Sequence, residues 1–135
     1  MTVGRCGRAG GLTLRAIICL IALLALAQPA LAADEVASLD ALIAKHATAN
    51  GVPVSLVRRV IRRESGFNSR LISRGNYGLM QIRLGTARSL GYRGAASSLL
   101  DPATNMTYAV RYLAGAYRAA HGSEARTLVL YSRGY

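Results

Sequence analysis

Both cysteines of the 135-residue chain, Cys6 and Cys19, fall in an N-terminal segment with the layout of an export signal. Arg5, Arg8 and Arg15 form a basic leader, Ala16 to Ala27 is an unbroken apolar run, and Ala30-Leu31-Ala32 is a small-x-small cleavage site. The run is short for a membrane span, and neither cysteine sits in a lipid-attachment pattern. The expected organisation is therefore a cleaved signal peptide, 1–32, and one mature domain, 33–135, with an uncleaved N-terminal anchor as the alternative. The mature chain then has no integral membrane segment and is periplasmic or secreted. It also has no thiol, which excludes a disulfide, a cysteine nucleophile and a Cys-type metal site. Its 103 residues must be held by an apolar core alone, and they suffice for one.

Charge narrows the partners. Beyond residue 32 the chain keeps 14 of its 17 basic residues and all 6 acidic ones, and only Lys45 of those bases is lysine. A net charge of +8 favours an anionic partner: nucleic acid, anionic lipid or an acidic wall polymer. Export argues against nucleic acid. The plain alternative is that the arginines solvate the surface.

The apolar pattern is helical throughout. Val36, Leu39, Leu42, Ile43 and Ala47 have helical spacing, with a stop at Asn50-Gly51. Pro53 suits the first turn of a second helix, whose Val57, Val60 and Ile61 repeat at i, i+3, i+4 before Gly66 ends it. A loop rich in Gly, Ser and Asn runs from Gly66 to Asn76, and Leu79 to Leu90 predicts one or two short helices closed by Gly91. Asp101-Pro102 marks a cap and first position, after which Met106, Ala109, Val110, Leu113 and Tyr117 form one face up to Gly122. Ser123-Glu124 starts a last helix through Tyr131. No stretch sustains period-two alternation, so the domain is expected to be all-α.

Six carboxylates remain for catalysis. Asp34 and Glu35 belong to the new N-terminus. Asp40 is expected early in the first helix, where an acid suits the dipole; Asp101 is a cap and Glu124 a first-turn acid. Glu64 differs, because at ~100° per residue it falls in the stripe of Val57, Val60 and Ile61. Desolvation there and a nearby helix C-terminus raise its pKa, toward that of a general acid near neutral pH; the neighbouring arginines pull it down. Phase alone leaves open an inward-leaning glutamate paired with an arginine.

The residues around Glu64 carry a resemblance. Glu64-Ser65-Gly66-Phe67-Asn68, Ser73, Gly78-Leu79-Met80-Gln81-Ile82 and Gly85-Thr86-Ala87 occur in order, followed by Asp101-Pro102, Asn105, Ala109 and Tyr112-Leu113. This set resembles the soluble lytic transglycosylase (SLT) domain, over about Val54 to Gly134. The resemblance implies a lysozyme-like helical fold of the goose-type lysozyme and lytic transglycosylase group, with an active-site cleft. It implies Glu64 as catalytic acid/base and Ser73 as the serine that polarises the muramic N-acetyl group or assists Glu64. Gly78, Met80 and Gln81 would line the cleft, Met80 by apolar contact and Gln81 by hydrogen bonding sugar; Tyr131 would stand near the catalytic carboxyl. Each has a plainer reading: Met80 as core, Ser73 as a turn residue, Gly78 as a backbone requirement. The end departs from the pattern, with Leu130-Tyr131-Ser132-Arg133-Gly134 where the family has asparagine in place of Ser132, and the chain reaches Tyr135 without the further helix of longer members.

The substrate implied is the peptidoglycan glycan strand, and the reaction a cleavage between N-acetylmuramic acid and N-acetylglucosamine that leaves a 1,6-anhydro end. Most glycosidases need two carboxylates, and no second acid follows Glu64 at close range. Ring closure by the substrate's own 6-hydroxyl needs neither a second carboxylate nor a metal or cofactor. Two rivals are a lysozyme-like muramidase and a catalytically weak peptidoglycan-binding module. A membrane-active protein fits less well, because no helix joins a continuous basic face to bulky apolar residues.

Overall fold

A computed structural model describes residues 28–134, with side chains from Ala37 onward. Most of the expected signal segment, 1–32, lies outside the described residues. The chain divides at Ala37, and the unit that begins at Ser38 carries the core and the cavity described below.

Helix α1 runs Gln28–Ala49, starting upstream of the predicted span, and ends at Asn50-Gly51 as expected. The early start moves Asp40 from the first turn to mid-helix, where it pairs with Arg58 instead of serving the dipole. Helix α2, Val54–Ser65, follows Pro53 and buries Leu56, Val57, Val60 and Ile61. Gly66 stops it in the left-handed conformation, φ 59°, its N–H bonded to the Arg62 carbonyl. Glu64 is thereby fixed in the last turn.

The loop after α2 holds what periodicity missed. Strands β1 (Ile72–Ser73), β2 (Asn76–Tyr77) and β3 (Ile82–Arg83) form an antiparallel sheet in that order, with Ile72 facing Tyr77 and Tyr77 facing Ile82 in register. Two-residue strands are too short to leave an alternation in sequence. The β1–β2 turn is Arg74-Gly75, both at positive φ, as a two-residue hairpin of type I′ requires.

Helix α3 (Leu84–Ser89), a 3-10 helix (Ala96–Leu100), α4 (Pro102–Ala119) and α5 (Glu124–Arg133) complete the fold. Asp101 caps α4, its carboxylate accepting the Thr104 N–H at 2.8 Å, and Pro102 occupies the first turn. Ser123 caps α5. The core joins Ile43 and Ala47 of α1, the buried stripe of α2, Leu79, Met80 and Leu99, and Met106, Ala109, Val110 and Leu113 of α4. The fold is mostly helical, and it is the α2–sheet–α5 grouping that forms the site.

Candidate active site

Glu64 faces a cavity of about 500 Å³, within the size range of ligand sites, lined also by Gln81, Tyr112, Tyr131 and three arginines. Its side chain keeps 24% of its exposure, intermediate between the buried stripe and the solvated arginines beside it. Burial pushes its carboxyl above the ordinary range, and Arg63, with Nε 3.6 Å from Oε1, draws it back only partly. Both readings that the sequence left open are thus present: the arginine pair exists, and desolvation outweighs it. From Ala37 onward the other acids are engaged elsewhere: Asp40 with Arg58, Asp101 with Thr104, and Glu124 with Arg59 at 3.1 Å. Glu64 is the one carboxylate of the described residues lining the cavity.

Tyr131 lines the same cavity. Its hydroxyl donates to the Met80 carbonyl at 2.8 Å, and its ring meets Tyr112 edge-on, with centroids 5.4 Å apart. Burial, then the nearby Glu64 carboxylate, holds the phenol well above its usual pKa, so it remains a donor. Ser132, the departure from the family pattern, lines the cavity and donates to the Val129 carbonyl at 3.0 Å. Tyr131 is held in the cavity lining through Met80.

Gln81 also lines the cavity, in a left-handed conformation, φ 50°, that costs a non-glycine residue of order 1 kcal/mol or more. Its Nε2 donates to the carbonyls of Gly78 at 2.9 Å and Leu71 at 3.0 Å, which offsets that strain. With its amide nitrogen committed, Gln81 presents an acceptor oxygen to the cavity.

Three of the expected cleft residues do not line the cavity, each for a different reason. Met80 is fully buried, so its side chain is core; its backbone serves the site instead, the N–H bonded to Asn105 and the carbonyl to Tyr131. Gly78, at φ 69°, is a backbone requirement, because a Cβ there would lie 2.5 Å from both Asn105 Nδ2 and the Leu99 carbonyl. Ser73 is exposed beside the hairpin turn, where its carbonyl accepts from Asn76 Nδ2 at 3.1 Å.

Other lining residues were not singled out as functional from sequence. Tyr112 was placed only in the α4 motif; it sits two helical turns beyond Asn105, a spacing that could have flagged it. Asn76, Arg83 and Arg133 line the cavity without any motif to announce them. No cluster of three or more metal-ligating His, Cys, Asp or Glu side chains occurs among the described residues.

The transglycosylase SLT domain family model matches residues 41–135. The chain belongs to that family. It is 35% identical over 99 residues to the peptidoglycan transglycosylase gp16 of Escherichia phage T7, a match that spans 70% of this chain and 8% of the phage protein. Among solved structures it resembles the 70-kDa soluble lytic transglycosylase in complex with bulgecin A, at 29% identity and a TM-score of 0.65, covering 70% of this chain and 16% of that one. It matches likewise the soluble lytic transglycosylase SLT70 from Escherichia coli, at 28% identity and a TM-score of 0.64, over 69% and 16% of the two chains. The SLT domain here thus spans a small fraction of each relative's length, and its fold is the lysozyme-like one. No helix among the described residues is long and apolar enough to cross a membrane.

Proposed function

We propose that this domain is an exported peptidoglycan lytic transglycosylase, delivered by the 1–32 signal segment and acting in the periplasm or outside the cell. The observation that carries the reading is the cavity lined, among the described residues, by a single carboxylate, Glu64, whose pKa burial has raised. The glycan strand lies in that cavity. Glu64 gives its proton to the oxygen between N-acetylmuramic acid and N-acetylglucosamine, and the C1–O bond breaks with the electrons leaving on that oxygen. The muramic N-acetyl oxygen stabilises C1. Glu64, now a carboxylate, takes the proton of the same sugar's 6-hydroxyl, and O6 closes onto C1. The internal nucleophile has an effective concentration far above that of a second molecule, so no activated water is required. The Tyr131 oxygen, its proton given to the Met80 carbonyl, and the Gln81 amide oxygen accept from sugar hydroxyls, while Ser73 would meet the strand outside the cavity.

Digestion of purified peptidoglycan with the 33–135 protein, followed by mass analysis of the products, tests this. Anhydro-ended muropeptides are expected. Reducing ends would make the protein a muramidase, and binding to sacculi without any release would make it a binding module.

A further inference from the structure

The cavity carries more positive charge than a neutral sugar requires. Arg63, Arg83 and Arg133 line it, against one carboxylate. Arg63 is turned to Glu64. Arg83 and Arg133 are exposed, and neither makes an ion pair or a side-chain hydrogen bond among the described residues, whereas Arg58 and Arg59 of α2 are each paired with an acid. The two come from separate elements, Arg83 from the β3–α3 junction and Arg133 from the last turn of α5. Both line one chamber, and a ligand that brings an acid there meets two cations. The guanidinium fork matches a carboxylate with two parallel hydrogen bonds.

Resting on the function proposed above, we propose that Arg83 and Arg133 form a carboxylate-binding rim that recognises the muramyl unit by the acid on its lactyl arm. That acid is either the free lactyl carboxylate of a bare strand or a carboxylate of an attached stem peptide. N-acetylglucosamine carries neither. The rim therefore also sets register: the strand offers two kinds of β-1,4 linkage in alternation, and anchoring the muramyl unit decides which one meets Glu64.

Binding measured in the inactive Glu64→Gln background separates this from the reaction itself. Three glycan ligands of equal length are compared: strands bearing stem peptides, the same strands after amidase has removed them, and a chitin oligosaccharide with no acid. Muramyl strands are expected to bind about fivefold tighter than chitin at low salt, as two exposed charge pairs give, with the difference shrinking as salt rises. Tighter binding of the peptide-bearing strand assigns the stem carboxylates as the source, weaker binding assigns the lactyl one, and equal binding means that the rim accepts either acid. Adding R83Q and R133Q, both at exposed positions, should bring muramyl and chitin affinities within about twofold, with circular dichroism unchanged. Equal binding of muramyl and chitin ligands by the parent, no binding of either, or a preference that survives the double substitution would overturn the rim. Product analysis of the unsubstituted enzyme is read separately, so loss of anhydro ends would refute the reaction and leave the binding preference standing.

Discussion

The Tyr131 hydroxyl donates to the Met80 carbonyl at 2.8 Å, across 51 positions of sequence, and so ties helix α5 to the segment that follows the β1–β2 hairpin. The other side of that segment is held by Asn105, whose Oδ1 accepts the Met80 N–H at 3.0 Å while its Nδ2 donates to the Tyr77 and Leu99 carbonyls, each at 2.8 Å. Asn105, Met80 and Tyr131 thus form one continuous hydrogen-bonded strut from the core of α4 to the lining of the cavity that holds Glu64.

Tyr131→Phe removes only the last link of that strut. The ring can still pack edge-on against Tyr112, so the expected loss of stability is about 1 kcal/mol, the net value of one such bond. Cleavage should fall by more than stability accounts for, because a tyrosine of the lining it shares with Glu64 is no longer held. Urea unfolding alongside peptidoglycan digestion checks this. Activity equal to the parent's would remove Tyr131 from the site.

Asn105→Ala is expected to be far more costly. It strands the Met80 N–H and two carbonyls in a region where Asn105 itself is fully buried, and one buried unsatisfied group already costs about 1–3 kcal/mol. A loss of at least about 3 kcal/mol should appear as a lower urea midpoint with little change in slope. A midpoint within error of the parent would mean that the strut carries no load.

Glu64 was legible from sequence, because helical phase and the motif around it converge on one position, and Gly66 fixes where α2 stops. The caps of α4 and α5 were legible for the same local reason: Asp101 and Ser123 each satisfy a backbone donor within their own first turn. The division of labour around Met80 was not. A methionine in a Gly-Leu-Met-Gln-Ile run looks the same whether its side chain meets sugar or core, and only the packing of α4 beneath it decides. The sheet was hidden by its two-residue strands. Arg83 and Arg133 were hidden because nothing in a string of dispersed arginines tells which two will share a chamber.

Gly78→Ala tests whether the glycine serves the backbone or the sugar. The added Cβ would meet Asn105 Nδ2 and the Leu99 carbonyl at 2.5 Å, on a residue with φ 69°. Strain at a left-handed position and the forced shift of two buried groups together predict a loss of about 2–4 kcal/mol. Thermal unfolding should show it before any activity is measured. A stable but inactive variant would return Gly78 to the glycan-contacting set.

The pH behaviour of Glu64 follows from the sign of its shift. Burial raises its pKa in the folded protein, with Arg63 opposing, so the protonated acid that starts the reaction persists to higher pH than an ordinary glutamate would allow. The alkaline limb of the cleavage profile should therefore lie above the usual carboxyl range. Arg63→Ala, which deletes the opposing charge, should move that limb further up, whereas a movement downward would contradict the opposing role given to Arg63. Stability takes the corresponding sign: the folded state binds the proton more tightly than the unfolded one, so the contribution of Glu64 is fully present at acid pH and is lost as pH rises through its folded value. At neutral pH the parent carries this penalty and Glu64→Gln does not. The substituted protein should thus be inactive and at least as heat-stable as the parent, a pairing that a general loss of structure could not produce. Cleavage surviving in Glu64→Gln would sink the catalytic assignment outright.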